Sequence, residues 1–438
     1  MKPTNADDSQ YEPTILYTIM KPSSKILCLS KRVIVLFLLS AGCSGAHAQE
    51  HDVTVMHYWT SGGEAAAVAR LKEALAARGF QWKDIAVGGG DNEKVMLKTR
   101  FTKGDPPAAA LVANDIKPYA VPGMVADLDP VAQQEGWDQA LPGVVRDYAT
   151  LGGSHYVMVP VNAARDDTMY FSMKALKSIG VDHAPADWDE LFAMADKARK
   201  AGLIPIAGAG GWTINYLYFS VAFSALGANG YHAAFEKSDP TVLGSAAMIR
   251  SFDLLRRIKG YTDPSAVSRK WSEATQLVIQ GKALMQFQGD WAKGEFLNAG
   301  LKPGRDFVCS TVPNPEKGFL FNTDAFIFFK TKKGDATAQN ALAGVLMDKK
   351  VQSEFNLVKG SVPARLDADV SNYDACGQAS YAQYIAASKS GKLVIDAAQL
   401  VPAGRINAWD DVVQQFWNND KMTSAEAAAK MLAVAKLK

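Results

Sequence analysis

Residues 53–58 alternate apolar and polar side chains, the period-two signature of a half-buried strand. Thr60-Ser61-Gly62-Gly63 then makes a turn, and residues 65–78 place their apolar side chains at helical spacing before Gly79 stops the run. Ser61 stands where it can cap that helix, with Glu64 three residues on as its capping-box partner. Strand, glycine turn and helix are the opening unit of an α/β domain. The alternation recurs along the chain. Gly88-Gly89-Gly90 precedes a helix at 92–102, and Pro106-Pro107 precedes a strand at 108–113. Further strands are predicted at 155–161, 204–207 and 283–288, the last running into Gly289-Asp290-Trp291, and residues 319–329 are strongly β-prone. Helices are predicted at 189–200, 252–259, 272–280, 336–346, 350–356 and 423–438. No internal repeat, low-complexity tract or flexible linker interrupts this pattern. The fold class is therefore α/β, with domains joined by strands that cross between them more than once.

The N-terminus changes the picture of what the mature protein is. Lys31 and Arg32 precede an apolar run at 33–39, small residues, and Ala46-His47-Ala48, the grammar of a secretory signal peptide cleaved after residue 48. The run is far shorter than the roughly 20 residues of a membrane-spanning helix. Met20 begins an n-region of ordinary length. A competing lipoprotein signal ends at Cys43, in Leu39-Ser40-Ala41-Gly42-Cys43, although Ser40 occupies a position that favours a branched apolar residue. Cleavage leaves 390 of 438 residues, enough for two domains. It also removes five of the 47 Lys/Arg and three of the 45 Asp/Glu, leaving 42 of each. That balance excludes a protein that binds a phosphate backbone through a basic footprint, so no nucleic-acid partner is expected. Cys309 and Cys376 alone survive processing and read as one disulfide in an oxidising compartment or as two unrelated buried thiols. Neither has a CxxC partner, and the five remaining histidines show no ligand spacing, so no metal or cofactor is expected.

Aromatic residues carry the candidate chemistry. Tyr58 and Trp59 fall where the first strand meets its glycine turn, at the edge where α/β sheets bind ligands. Trp271 and Trp291 also stand at element boundaries, the second directly after Asp290. Sugars present apolar C–H faces that stack on such rings and hydroxyl rims that want carboxylates, amides and lysines. Each of these aromatics, taken singly, fits a core position as well.

An ordered set of local patterns goes further. His57-Tyr58-Trp59-Thr60-Ser61-Gly62-Gly63-Glu64 resembles the opening of glucose- and mannose-type solute-binding proteins of bacterial ABC importers, within extracellular solute-binding protein family 1. The likeness continues through Trp82-Lys83-Asp84, Gly88-Gly89-Gly90-Asp91, Gly104-Asp105-Pro106-Pro107 and the segment from His155 to Asn162. Lys259-Gly260-Tyr261, Gly289-Asp290-Trp291-Ala292-Lys293 and Lys359-Gly360-Ser361-Val362-Pro363 extend it colinearly over nearly all of the mature chain. The resemblance implies a two-lobed, periplasmic-binding-protein clamshell with lobes joined by crossing strands. One lobe would hold 49–162 and about 309–327, the other 163–308 and about 328–438. It implies a disulfide between Cys309 and Cys376, no enzymatic activity, a location in the periplasm, a monomer, and ABC permease subunits as partners. Tyr58, Trp59 and Glu64 would line one side of the cleft; Trp271, Asp290 and Lys359 would contribute from the remaining lobe and hinge. Asn322 and Asp324 would serve as ligand or hinge residues.

This chain departs from the pattern in places. Tyr58 replaces the first tryptophan of the usual pair. Val112-Ala113-Asn114 stands where relatives carry a lysine, and no histidine occurs in 397–405. Asn162-Ala163-Ala164-Arg165-Asp166-Asp167-Thr168 also diverges, leaving Asn114, Arg165 and Asp166 as substitutes. The cargo is thus a monosaccharide-sized carbohydrate that need not be glucose. A polyol or a sugar acid facing Arg165 is the alternative ligand, and a chemoreceptor-linked sugar sensor the alternative role. A secreted glycoside hydrolase using Glu64 and Asp290 as its carboxylate pair is the enzymatic alternative, against which Glu64 already has a structural role in the helix cap.

Overall fold

The chain begins its first sheet with β1 (Asp52–His57), β2 (Gln81–Ala86), β3 (Ala109–Val112) and β4 (Met158–Pro160). It then leaves through the two-residue strand β5 (Ala164–Arg165) to a second sheet of β6 (Thr168–Ser172), β7 (Ile204–Ile206), β8 (Ala283–Phe287) and β9 (Phe307–Thr311). It returns through β10 (Phe319–Asn322) to β11 (Ala325–Phe328), and β12 (Leu393–Ile395) follows later. These assignments come from a computed structural model that describes residues 51–436 apart from 113, 115, 317 and 331–335. The expected signal peptide, the lipoprotein alternative at Cys43 and the end of the closing helix lie outside the described residues.

The order of the first sheet is β2-β1-β3-β11-β4, with β1 parallel to β2 and β3, and β11 antiparallel to both β3 and β4. The second sheet runs β7-β8-β6-β9. Between them lies a three-stranded sheet, β12-β10-β5, in which the two crossing strands pair antiparallel, Phe321 opposite Arg165 and Asn322 opposite Ala164. The lobes are therefore tied by hydrogen-bonded strands rather than by a linker, the geometry that permits hinge closure.

Each main sheet has its own core. The first gathers Val55, Met56, Leu71, Leu75, Leu111, Val159, Phe326 and Ile327. The second gathers Phe171, Phe192, Phe223, Leu284, Trp409 and Phe416. The opening helix, Gly62–Ala77, forms as its sequence predicts: Ser61 caps it, and the Ser61 N–H donates back to Glu64 Oε2 at 3.2 Å. Its buried side chains Ala67, Val68, Leu71 and Leu75 lie at helical spacing against the first sheet.

The segments distribute differently from the lobe limits inferred from sequence. β9, whose residues 309–311 were expected with the first lobe, pairs along its whole length with β6 in the second sheet. Helices Ala336–Met347 and Lys349–Lys359, expected with the second lobe, place Leu342, Leu346 and Phe355 in the first core. Periodicity identifies an apolar face but not the sheet that covers it. Helix Ala375–Ser390 packs on the crossing strands, with Tyr384 against Phe319 and Phe321 at centroid separations of 5.5 and 6.1 Å. The β-prone run at 319–329 is also two strands, broken at Thr323-Asp324 where the chain passes from the crossing sheet into the first sheet.

Candidate functional site

The break at Thr323-Asp324 faces Asn162, the residue at which the other crossing segment leaves the first sheet. Asn162 Nδ2 donates to Asp324 Oδ2 at 2.7 Å, and the Asp324 N–H donates to Asn162 Oδ1 at 2.8 Å. Thr323 Oγ1 adds a bond to the Asn162 carbonyl at 2.6 Å. All three residues are buried, so the reciprocal pairing satisfies groups that would otherwise be costly to remove from water. Tyr58, at the end of β1, donates its hydroxyl to the same Asp324 at 3.3 Å. A glycine follows the Tyr58 ring closely: a Cβ on Gly90 would sit 3.9 Å from it.

Asp290 fastens the second crossing point. Its Oδ2 accepts from the Arg165 N–H at 2.9 Å and its Oδ1 from Ser361 Oγ at 2.6 Å. Three glycines let the surrounding backbones meet. A Cβ on Gly63 would lie 2.6 Å from the Gly294 carbonyl carbon, one on Gly294 2.8 Å from the Lys359 oxygen, and one on Gly360 2.6 Å from the Asp290 oxygen. Gly360 also holds φ at +97°, a left-handed cap that ends helix Lys349–Lys359. Across this junction the Gly63 N–H donates to Glu295 Oε1 at 2.8 Å.

Lys359, presented by the last turn of that helix, is 98% buried. Its ammonium lies 5.6 Å from the ring centroids of both Trp59 and Trp291, within cation–π range. No hydrogen bond or ion pair engages it among the described residues, and Glu64 and Asp290 are the carboxylates that feel its charge. Trp291 begins an aromatic wall. Tyr216 meets it at 5.3 Å and 60°, and Trp212, 46% exposed, meets Tyr216 at 5.9 Å. A Cβ on Gly289 would strike the Trp291 ring at 2.2 Å, so glycine there is what allows the ring to lie across the backbone.

Burial dominates the electrostatics of this region. It pushes the Asp290 carboxyl up to about 7, against the opposing pull of its two donors and Lys359. Burial also raises Glu64, opposed first by Lys359, and raises Tyr58, reinforced by Asp324. Glu93, on the helix beside Tyr58, goes up to about 7 by burial. Asp166 rises well above the carboxylate range through burial and then the neighbouring Asp396 charge. A surface depression of about 430 Å³ lies elsewhere, on the first lobe around Asp129, Gln133, Asp138 and Tyr156. Two of its carboxylates are already engaged, Asp129 by His155 at 2.5 Å and Asp138 by the Tyr156 hydroxyl at 2.7 Å.

Residues 61–347 match the sequence profile of the bacterial extracellular solute-binding proteins. Over 404 residues the chain is 39% identical to a protein of Brucella melitensis described as a probable sugar-binding periplasmic protein, covering 91% of this chain and 95% of that one. The chain belongs to the bacterial extracellular solute-binding proteins. Solved structures share its fold at lower identity. The bacterial solute receptor AcbH, described as preferring β-D-galactopyranose, superimposes with a TM-score of 0.72 at 20% identity, covering 88% of this chain and 98% of that one. A chitin oligosaccharide binding protein gives a TM-score of 0.72 at 21% identity, covering 88% and 98%. The two-lobed fold implied by the sequence resemblance is thereby established. Among the described residues, no helix of this solute-binding protein is long and apolar enough to cross a membrane.

The residues predicted to form the site divide into two groups. Tyr58, Glu64, Asp290, Asp324 and Lys359 do converge where the two crossing strands meet the ends of the sheets. Trp59 adjoins them but is 2% exposed, its ring set among Phe326 at 5.7 Å and Phe355 at 5.3 Å, so it is a core residue that supports Lys359 from behind. Arg165 is turned inward as well: it donates to Asp167 at 2.8 Å and Gln383 at 2.5 Å and covers the Phe319 ring at 4.6 Å. Its charge is spent within the hinge, which removes the cation expected to favour a sugar acid. Trp271 starts a helix on the second sheet and lends its carbonyl to Gln286 Nε2 at 3.0 Å. Asn114, at the end of β3, leaves its Oδ1 unpartnered, and Asn322 Nδ2 donates to Asp166 Oδ1 at 2.6 Å. The Cys309–Cys376 disulfide is formed and ties β9 to helix Ala375–Ser390.

Trp212 and Tyr216 belong to the aromatic wall, although neither was predicted from the sequence. Trp212 had a signal, since it follows Gly210-Gly211 at a helix start. Tyr216 sits in an apolar run with none.

Proposed function

We propose that this solute-binding protein is the periplasmic component of an ABC sugar importer, and that it binds a monosaccharide-sized carbohydrate between its two lobes without transforming it. The observation that carries the reading is Lys359, an almost wholly buried ammonium with no hydrogen-bond or ion-pair partner among the described residues, poised between Trp59 and Trp291. A buried cation left unpaired is costly unless a ligand supplies acceptors. Sugar hydroxyls beside an aromatic face meet that need, with Trp291, Tyr216 and Trp212 as the stacking wall and Tyr58 and Glu64 on the opposite side. The likeness to a probable sugar-binding periplasmic protein over nearly the whole chain supports the same reading.

The hydrolase alternative loses ground because both of its carboxylates already have structural duties. Glu64 closes the cap of helix Gly62–Ala77, and Asp290 accepts from Arg165 and Ser361. We assign the first lobe 51–162 with about 323–362, and the second 168–311 with about 397–436. Segments between these ranges form the hinge.

The test is thermal denaturation of the mature protein against hexoses, pentoses, polyols, disaccharides and sugar acids. Binding of the native state raises the melting temperature by mass action, and at least one monosaccharide should do so. Lys359→Met should abolish that shift while leaving the protein folded. A panel in which sugar acids alone stabilise the wild type would overturn the reading.

A further inference from the structure

Asp166 follows directly on the crossing strand β5 and is 99% buried. One carboxylate oxygen accepts from Asn322, and the other has no donor among the described residues. Two cations of this region are committed elsewhere. Arg165 is held by Asp167, Gln383 and the Phe319 face, and Lys293 by Asp374 at 3.3 Å. Lys359 acts on Glu64 and Asp290. The groups that surround Asp166 add negative charge instead, namely Asp396, Asp290 and Asp167. Of these, Asp396 already accepts from the Ala398 N–H and the Tyr231 hydroxyl, Asp290 from Arg165 and Ser361, and Asp167 from Arg165. Asp166 is the member of the group with an oxygen to spare.

The aromatic wall stands on the same residue. Tyr216 donates its hydroxyl to the Asp166 carbonyl at 2.5 Å while its ring meets Trp291 and Trp212. We propose that the ligand of this cleft is an amine-bearing sugar whose ammonium group is received by Asp166. This rests on the sugar-binding reading above and narrows its substrate class. A neutral hydroxyl would give the free oxygen a donor but bring no counter-charge, so burial and the neighbouring Asp396 would go on favouring the protonated carboxyl. An ammonium supplies both a donor and the missing charge, and it gains from the neighbouring ring faces. Glu93, buried beside Tyr58 with one oxygen also unpartnered among the described residues, lies outside the group around Asp166 and serves as the control position.

The experiment is calorimetric titration of the mature protein at pH 6.5 with D-glucosamine, D-galactosamine and D-mannosamine, each set against its own neutral hexose. At least one amine should bind tenfold or more tightly than the matching hexose. Asp166→Asn should cut that ratio below about threefold, and Glu93→Gln should keep it. If Asp166→Asn does not fold, the wild-type ratio still decides. Hexoses binding as tightly as amines would overturn the proposal and leave the sugar reading intact. Loss of the preference in Glu93→Gln but not in Asp166→Asn would overturn the assignment to Asp166. No carbohydrate binding of either kind would defeat the sugar reading itself, and this narrowing with it.

Discussion

Trp59 and Trp291 flank the same lysine and are predicted to respond to truncation in opposite ways. Trp59 is 2% exposed and wedged between Phe326 and Phe355, so Trp59→Ala empties part of the first core. Large-to-small changes of this kind cost about 3–5 kcal/mol, because the cavity adds to the lost transfer energy. Set against a total stability of roughly 5–15 kcal/mol, such a loss shifts the urea midpoint markedly. Trp291 is half-buried and meets Tyr216 and Trp212 on the side of the cleft. Trp291→Ala should therefore cost about 1 kcal/mol of stability or less, but about 2 kcal/mol of sugar affinity through the lost stacking surface, roughly thirtyfold in Kd. Urea denaturation followed by circular dichroism, paired with calorimetric titration, separates the two effects. The reasoning fails if Trp59→Ala keeps the wild-type midpoint and loses binding. It fails equally if Trp291→Ala unfolds early and the surviving fraction binds normally.

Two further outcomes follow from the hinge and the buried carboxylates. The Cys309–Cys376 bridge spans 67 residues, so replacing both cysteines by serine should lower stability by about 4 kcal/mol on loop-entropy grounds, measurable as a lower melting temperature; an unchanged melting point would contradict the constraint. Asp290, Glu93 and Asp410 are each pushed up to about 7 by burial. A carboxyl whose folded value is raised holds its proton better in the native state, so its stabilising contribution declines from the ordinary carboxylate range upward and the last of it is lost as pH climbs through 7. The melting temperature should fall between pH 6.5 and 8, less steeply in Asp290→Asn. This window lies above the ordinary titration of His57, which burial lowers and which therefore acts only on the acid side. A melting temperature that rises across the window would refute the assignment.

The sequence pattern showed most clearly what repeats at short range. Ser61 with Glu64 specified a helix start, alternation located β1, and short apolar runs beside glycine or proline located β3, β7 and β8, of which β3 and β8 are buried along their whole length. β2 left no such trace: it is an edge strand with most of its side chains exposed. Helix Trp212–Tyr231 left none for the opposite reason, being apolar on nearly every face and buried along most of its length. With that helix, Trp212 and Tyr216 were lost from view. The break in the run at 319–329 was equally hidden, since it is imposed by Asn162, a residue more than 150 positions away.

The same distance explains why the most conspicuous acidic residues misled in part. An aspartate directly before a tryptophan at a strand end has the right chemistry for sugar hydroxyls, and Asp290 stands close to where they would lie. Yet its two oxygens are taken up by a backbone N–H from β5 and by Ser361, two groups that belong to different crossing segments. Asp324 is occupied in the same way by Asn162 and Tyr58. These carboxylates bind the hinge to itself, and moving a lobe must strain those bonds. What remains for a ligand is set by the groups the hinge leaves over: the ammonium of Lys359, the free oxygen of Asp166, and the rings beside them. Recognition and closure are then coupled by construction. A ligand that neutralises Asp166 acts on the very strand whose N–H fastens Asp290, so occupancy and the position of the crossing strands cannot vary independently.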